Sequence, residues 1–129
     1  MNRRGEDMPS AYKIDKEQRL VTSTAWGVVT RDDVLSHQEK ITADSDFTPT
    51  YSQLLDFTRT TKLEFTTADV QAFAARRIFA PTARRAIVVP DMESFGLARM
   101  FEILRDAKGD EQIRVFTKME EARAWLGLA

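Results

Sequence analysis

Asp56 and Glu64 bracket a hydroxyl-rich stretch, FTRTTKL, that follows a short apolar run. Two carboxylates at the carboxyl end of a strand can serve as an acid–base pair, and α/β proteins place their sites there. The plainer reading is that Asp56 hydrogen-bonds the backbone of its own loop, and it outweighs the catalytic one. His37 is the single histidine. As a catalytic base it would need a nucleophile and an orienting group at hand, and no recognisable spacing supplies them. It lies three residues after Val34 and four before Ile41, on or beside the inward stripe of a helix. Packing or hydrogen bonding within the fold is therefore the expected role. One histidine and no cysteine make a poor start for a transition-metal site. The pairs Asp32-Asp33 and Glu120-Glu121 fall in the first turns of helices, where negative charge complements the dipole, and Asp110-Glu111 falls in a turn. Arg76, Arg77, Arg84 and Arg85 cluster where a helix should end, and read as solvated complements of its dipole. Weak binding of an anion or an acidic partner is the alternative. Walker, dinucleotide-glycine and nucleophile-elbow patterns are absent. The expectation is a non-enzyme with no catalytic residue, no metal and no cofactor.

The composition narrows the class further. A chain of 129 residues makes one domain. Nineteen Lys+Arg against twenty Asp+Glu give a net charge of −1, so no basic field invites nucleic acid. The absence of cysteine excludes thiol catalysis and a disulfide scaffold, and fits a reducing compartment. No apolar run reaches membrane-spanning length. The opening MNRRGEDMPS is polar and lacks the apolar core of a secretory signal. It reads as a flexible arm over 1–10 before a single domain over 11–129, located in the cytoplasm.

The elements follow from periodicity. A strand over 12–15, a polar turn and a β-branched strand over 20–26 make a hairpin that Gly27 ends. Thr30 and Asp33 form a carboxylate version of the capping box, with Val29 and Val34 at staple spacing, opening a helix to about Ala43. A strand over 52–57 leads into the hydroxyl-rich loop. Thr66 with Asp69 and Phe65 with Val70 repeat the box and staple, opening a helix to about Phe79. The run RAIVV over 85–89 suits a central strand covered on both faces. A helix over 94–107 carries apolar residues around most of its circumference. An edge strand over 113–116 follows, then a third box at Thr117 and Glu120, and a last helix with Met119, Ala122 and Leu126 inward. Strands alternating with helices predict an α/β fold: a five-stranded mixed sheet, hairpin first and parallel strands after, with four main helices.

The segments LLDFTRTTKLEFTTADV, AIVVPDMESFGLARMFE and VFTKMEEARAWL, in this succession, resemble the STAS/SpoIIAA-like superfamily, and in particular its small bacterial branch of uncharacterised STAS/SEC14-like proteins. The resemblance spans roughly 12–128 and implies a βα superhelical fold with regulatory or ligand-sensing work. In the branch that antagonises anti-sigma factors, a serine at the start of the second helix is phosphorylated. Alignment on Asp56-Phe57-Thr58 puts Phe65 at that serine's place. Phe65 has no hydroxyl, so no phosphorylation is expected there, although Thr66 or Thr67 could accept phosphate beside a helix N-terminus.

Two surfaces complete the reading. The loops after the strands are the more apolar ones, and Trp26, Asp56, Phe57, Leu63, Met92 and Phe95 are the candidate lining of a pocket for a small apolar or lipid-like ligand. The broad apolar circumference of the helix over 94–107 marks Phe95, Met100, Phe101 and Ile103 as a candidate homodimer interface, with Arg99 and Glu102 at its rim. The expected function is a non-enzymatic STAS-like regulatory or interaction module, acting by protein–protein contact or self-association. The alternative is a carrier or sensor of that small apolar ligand.

Overall fold

The computed structural model describes residues 10–107 and 112–128. The anticipated arm, apart from Ser10, lies outside them, as does the Asp110-Glu111 pair. The elements in chain order are β1 (Ser10–Asp15), β2 (Leu20–Thr30), α1 (Arg31–Ala43), β3 (Ser52–Glu64), α2 (Thr67–Ala75), β4 (Arg84–Val88), α3 (Met92–Ala107), β5 (Gln112–Phe116) and α4 (Met119–Trp125). The five strands lie side by side in sequence order. β1 runs antiparallel to β2, and every other pairing is parallel. This is the mixed five-stranded α/β sheet with four helices that the periodicity predicts.

Capping chemistry starts three of the helices: boxes open α1 and α2, and Asp91 accepts from Ser94 N at 2.8 Å at the head of α3. Thr30 and Asp33 exchange side-chain and backbone bonds at the head of α1, and Thr66 and Asp69 do the same for α2. Each box satisfies orphan N–H groups of a first turn and sets where the helix begins. The third box does not form. Lys118 is the cap of α4 and makes no side-chain bond.

Three boundaries differ from the sequence reading. Gly27 does not end β2. It sits inside the strand at φ 66°, where a residue without Cβ is at ease, between two shifts of register. β3 does not stop at Phe57. It continues to Glu64 because the residues beyond the bulges pair with β2: Trp26 with Arg59, Gly27 with Thr60, Val29 with Leu63 and Thr30 with Glu64. The stretch expected as a loop is therefore the outer half of a two-stranded arm. β3 carries two extra residues at the shifts, and Thr60 folds its hydroxyl back onto the Phe57 carbonyl at 2.7 Å. Finally, α2 ends at Ala75 rather than near Phe79. Ile78 and Phe79 leave the helical line to bury with Val21, Ile41, Tyr51 and Ala83. Tertiary burial outweighs the continuing helical pattern.

Alternation along the strands divides the core into two faces. On one, Leu20, Leu54, Ala86, Val88 and Phe116 pack under α4 around Ala122. On the other, Ala25, Phe57, Ile87, Val89 and Ile113 join Ala98 of α3, with Val34 of α1 and Phe65 against them. β4 is interior, between β3 and β5, and its Ala86, Ile87 and Val88 are all buried.

Candidate functional site

The face under α1, α2 and α3 carries polar residues at positions that point inward. Ser23 lies between Val21 and Ala25 on the inward line of β2, and all three are buried. The register sets Val21 beside Gln53 and Gln53 beside Arg85. The side chains link in a row across three strands. Arg85 Nε donates to Gln53 Oε1 at 3.0 Å, and Gln53 Nε2 donates to Ser23 Oγ at 3.0 Å. Ser23 Oγ lies 2.8 Å from His37 Nε2 of α1. Burial, with a smaller effect from Lys40, pushes His37 down to about 4. The ring is neutral at pH 7 and exchanges a neutral hydrogen bond with the serine. Tyr12 of β1 stands edge-on to it at 5.6 Å. His37 thus has the internal bonding role expected of it.

Arg85 is 6 % exposed. Its guanidinium lies 4.4 Å from the Phe79 ring centre and 5.5 Å from that of Phe101. Arg84 donates to the Trp125 carbonyl at 3.0 Å and stacks on that indole. Neither sits at a helix end, as the sequence reading had it: both lie in β4, Arg84 exposed and Arg85 buried, and α2 has already ended. Arg105, unremarked in the sequence, is fully buried on α3 and donates to the Ala74 carbonyl of α2 at 2.7 Å, tying the two helices together where α2 ends.

Two cavities lie beside this polar row. The first, of about 70 Å³, is walled by Phe57, Leu63, Phe65, Phe73, Leu97 and Phe101, with Gln38 and Arg85 at its polar side. The second, of about 60 Å³, touches Ser23, His37 and Gln53 under α1. Val34, Gln38, Leu55, Phe57 and Arg85 line both. Gln38 is 8 % exposed, and its Oε1 has no hydrogen-bond partner. Outside, an open groove runs between the β3 arm and the start of α3, along Lys62, Glu64 and Glu93. Leu63, Phe65 and Leu97 line both that groove and the first cavity, so these side chains form the partition between solvent and interior.

The expected ligand residues divide. Phe57 and Leu63 line the first cavity. Phe95 packs on the adjoining core. Trp26 is half-buried on the arm with Arg59 over its ring, and Met92 is 73 % exposed at the start of α3. Asp56 lies on the other face by alternation with Leu55 and Phe57. It accepts from Thr58 N at 2.8 Å and Thr58 Oγ1 at 2.6 Å, the local bonding that was the plainer reading. Asp56 and Glu64 do not bracket a loop. They lie on one strand, and Glu64 is exposed on the arm. Of the expected interface residues, Phe95 and Phe101 pack inward, Met100 is half-buried and Ile103 is 54 % exposed. Arg99 and Glu102 pair with each other.

Phe65 packs edge-on against Phe73 with ring centres 5.0 Å apart. The Thr66 hydroxyl accepts from Asp69 N at 3.1 Å as the cap of α2. Among the described residues no group of three or more His, Cys, Asp or Glu could hold a metal ion. No helix among them is long and apolar enough to cross a membrane.

The sheet order, the hairpin start and the alternating helices define a SpoIIAA-like α/β fold. The chain is similar to the crystal structure of an uncharacterised protein of Shewanella loihica PV-4, of the DUF3478 family, which has a SpoIIAA-like fold. The TM-score is 0.59 at 19% identity, over 91% of this chain and 93% of that one. That likeness shows the shared fold. No family model and no curated protein matches the sequence.

Proposed function

We propose that this protein is a non-enzymatic, STAS-like regulatory module of the cytoplasm that responds to a small, mainly apolar ligand held between the sheet and α1–α3. The observation that carries this reading is the apolar cavity, divided from an open groove by the side chains of Leu63, Phe65 and Leu97. Well-packed interiors leave few voids larger than a water molecule. An apolar void beside a side-chain partition is a plausible pocket with an entrance. Entry would displace Phe65, which precedes the cap of α2. In the branch of the resembled superfamily that antagonises anti-sigma factors, that position carries a phosphorylated serine. Here a ring would transmit occupancy where a phosphate acts elsewhere, by shifting the first turn of α2 and the surface around Thr66.

Native mass spectrometry of the full chain, followed by melting with a panel of small aromatic compounds, tests the reading. A co-purifying mass or a raised melting temperature supports it. A bare chain whose melting no compound shifts refutes it.

A second reading, self-association through α3, draws on exposed Ile103 beside half-buried Met100. Sedimentation at micromolar concentration decides it: a mass near 14.7 kDa eliminates the dimer.

A further inference from the structure

We propose that the ligand of this interior pocket is a compact ring bearing a neutral amide or lactam head, with the ring among the aromatic side chains and the head between Gln38 and Arg85. The inference rests on the ligand-binding reading above and adds the chemistry of the ligand.

Size comes first. An apolar cavity of about 150 Å³ holds benzene. The two cavities, about 70 Å³ and about 60 Å³, meet along the same five side chains. Together they fall short of that volume, so one ring with a short polar substituent fits once a wall side chain such as Phe65 moves aside, whereas a long acyl chain would need the core to open. Shape agrees. Phe57, Phe65, Phe73 and Phe101 surround the first cavity, and ring edges and faces favour an aromatic guest.

The head follows from the polar wall. Gln38 is more than nine-tenths buried, lines both cavities, and its Oε1 lacks a partner. A buried acceptor left unpaired costs free energy, so the site is completed by a donor. Arg85 borders the same two cavities with a guanidinium, a donor-only group that suits a carbonyl oxygen. A head that donates on one side and accepts on the other meets both. An amide does so without bringing a charge into the core. A carboxylate brings acceptors only and leaves Gln38 Oε1 without a donor. It also faces the Asp33 carboxylate in the wall of the second cavity. Of the remaining polar groups there, Ser23, Gln53 and neutral His37 already bond one another and set the floor, and Ser10 and Thr24 also line the wall.

Benzamide, toluene and benzoate titrated into the full chain, followed by amide NMR shifts, separate the possibilities. Benzamide should bind at least tenfold more tightly than either of the others, with shifts centred on α1 and β3. In Gln38→Leu that preference should collapse to the toluene level. Gln38→Met, closer in volume, serves if the first variant melts early. If toluene matches benzamide in the wild type, the head assignment is wrong while the apolar pocket stands. Tighter binding of benzoate would make the wall an anion site and overturn the inference. If none of the three binds, and ordered waters alone bond Gln38 in a crystal, the inference and the ligand reading both fall.

Discussion

The two faces of the sheet are built to different standards. Under α4, Leu20, Leu54, Ala86, Val88 and Phe116 close around a fully buried Ala122, and every one of these inward residues is apolar. Under α1–α3, the inward line admits Ser23, Gln53 and Arg85, leaves two cavities, and buries a glutamine oxygen without a partner. The first face follows the rules of stability. The second departs from them in one place, and proteins depart from those rules mostly where they bind or react. Polar row, void and partition fall together on the side that the β3 arm overhangs.

The strongest challenge to this contrast is a charge in the shared strand. Ile87 is 4 % exposed and lines the first cavity. If that cavity were wet and forgiving, Ile87→Asp would survive. The expectation is a loss above about 4 kcal/mol and no cooperative melt, because the new carboxylate would be buried among mainly apolar side chains and the neighbouring Arg85 is already bonded to Gln53. A melting temperature near wild type would dissolve the contrast.

Truncation compares the faces directly. Phe116→Ala on the closed face should cost about 3–5 kcal/mol in urea unfolding. Phe101→Ala, half-buried and already beside a void, should cost about 1–2 kcal/mol. Equal losses would mean that the two faces are equally packed.

Acid acts on the open face through His37. Its unfolded value is 6.5 and its folded value about 4, so the unfolded chain binds a proton that the folded chain refuses. Stability is therefore complete above pH 6.5 and falls as the pH drops toward 4, by on the order of 2–3 kcal/mol. His37→Gln should flatten that slope in urea unfolding at pH 7.5 and pH 4.5. Parallel slopes in both proteins would assign the acid sensitivity to other groups.

The finest test sets two glutamines against each other. Gln53→Leu removes bonds from both Arg85 and Ser23 and should cost about 2 kcal/mol. Gln38→Leu removes an unpaired buried acceptor and should be neutral or stabilising by up to about 1 kcal/mol. A large loss at Gln38 would show that the oxygen is already satisfied in the empty protein, by bound water.

Local chemistry alone made much of this molecule legible. Two capping boxes, the apolar run of β4 and the inward stripe of α1 are short-range patterns, and they gave the element order, the sheet and the place of His37. Phe57 and Leu63 were singled out as residues of loops beyond the strands, and they line the first cavity from within β3 instead. What only the tertiary structure decided depends on partners far apart in the chain. TRTTKLE is polar and reads as a loop, yet its backbone completes a ladder with 26–30 of β2, so hydrogen bonding to a distant strand overrode composition. Ile78 and Phe79 continue a helical pattern, yet burial against Val21, Ile41 and Tyr51 ended the helix early. The polar row had one local trace, Ser23 in the inward phase between Val21 and Ala25, but its bonds to Gln53, Arg85 and His37 exist only once strand register sets them side by side. Sequence determines which face of an element is apolar. Which buried charge meets which ring, and where a void is left between them, is determined only when the elements pack.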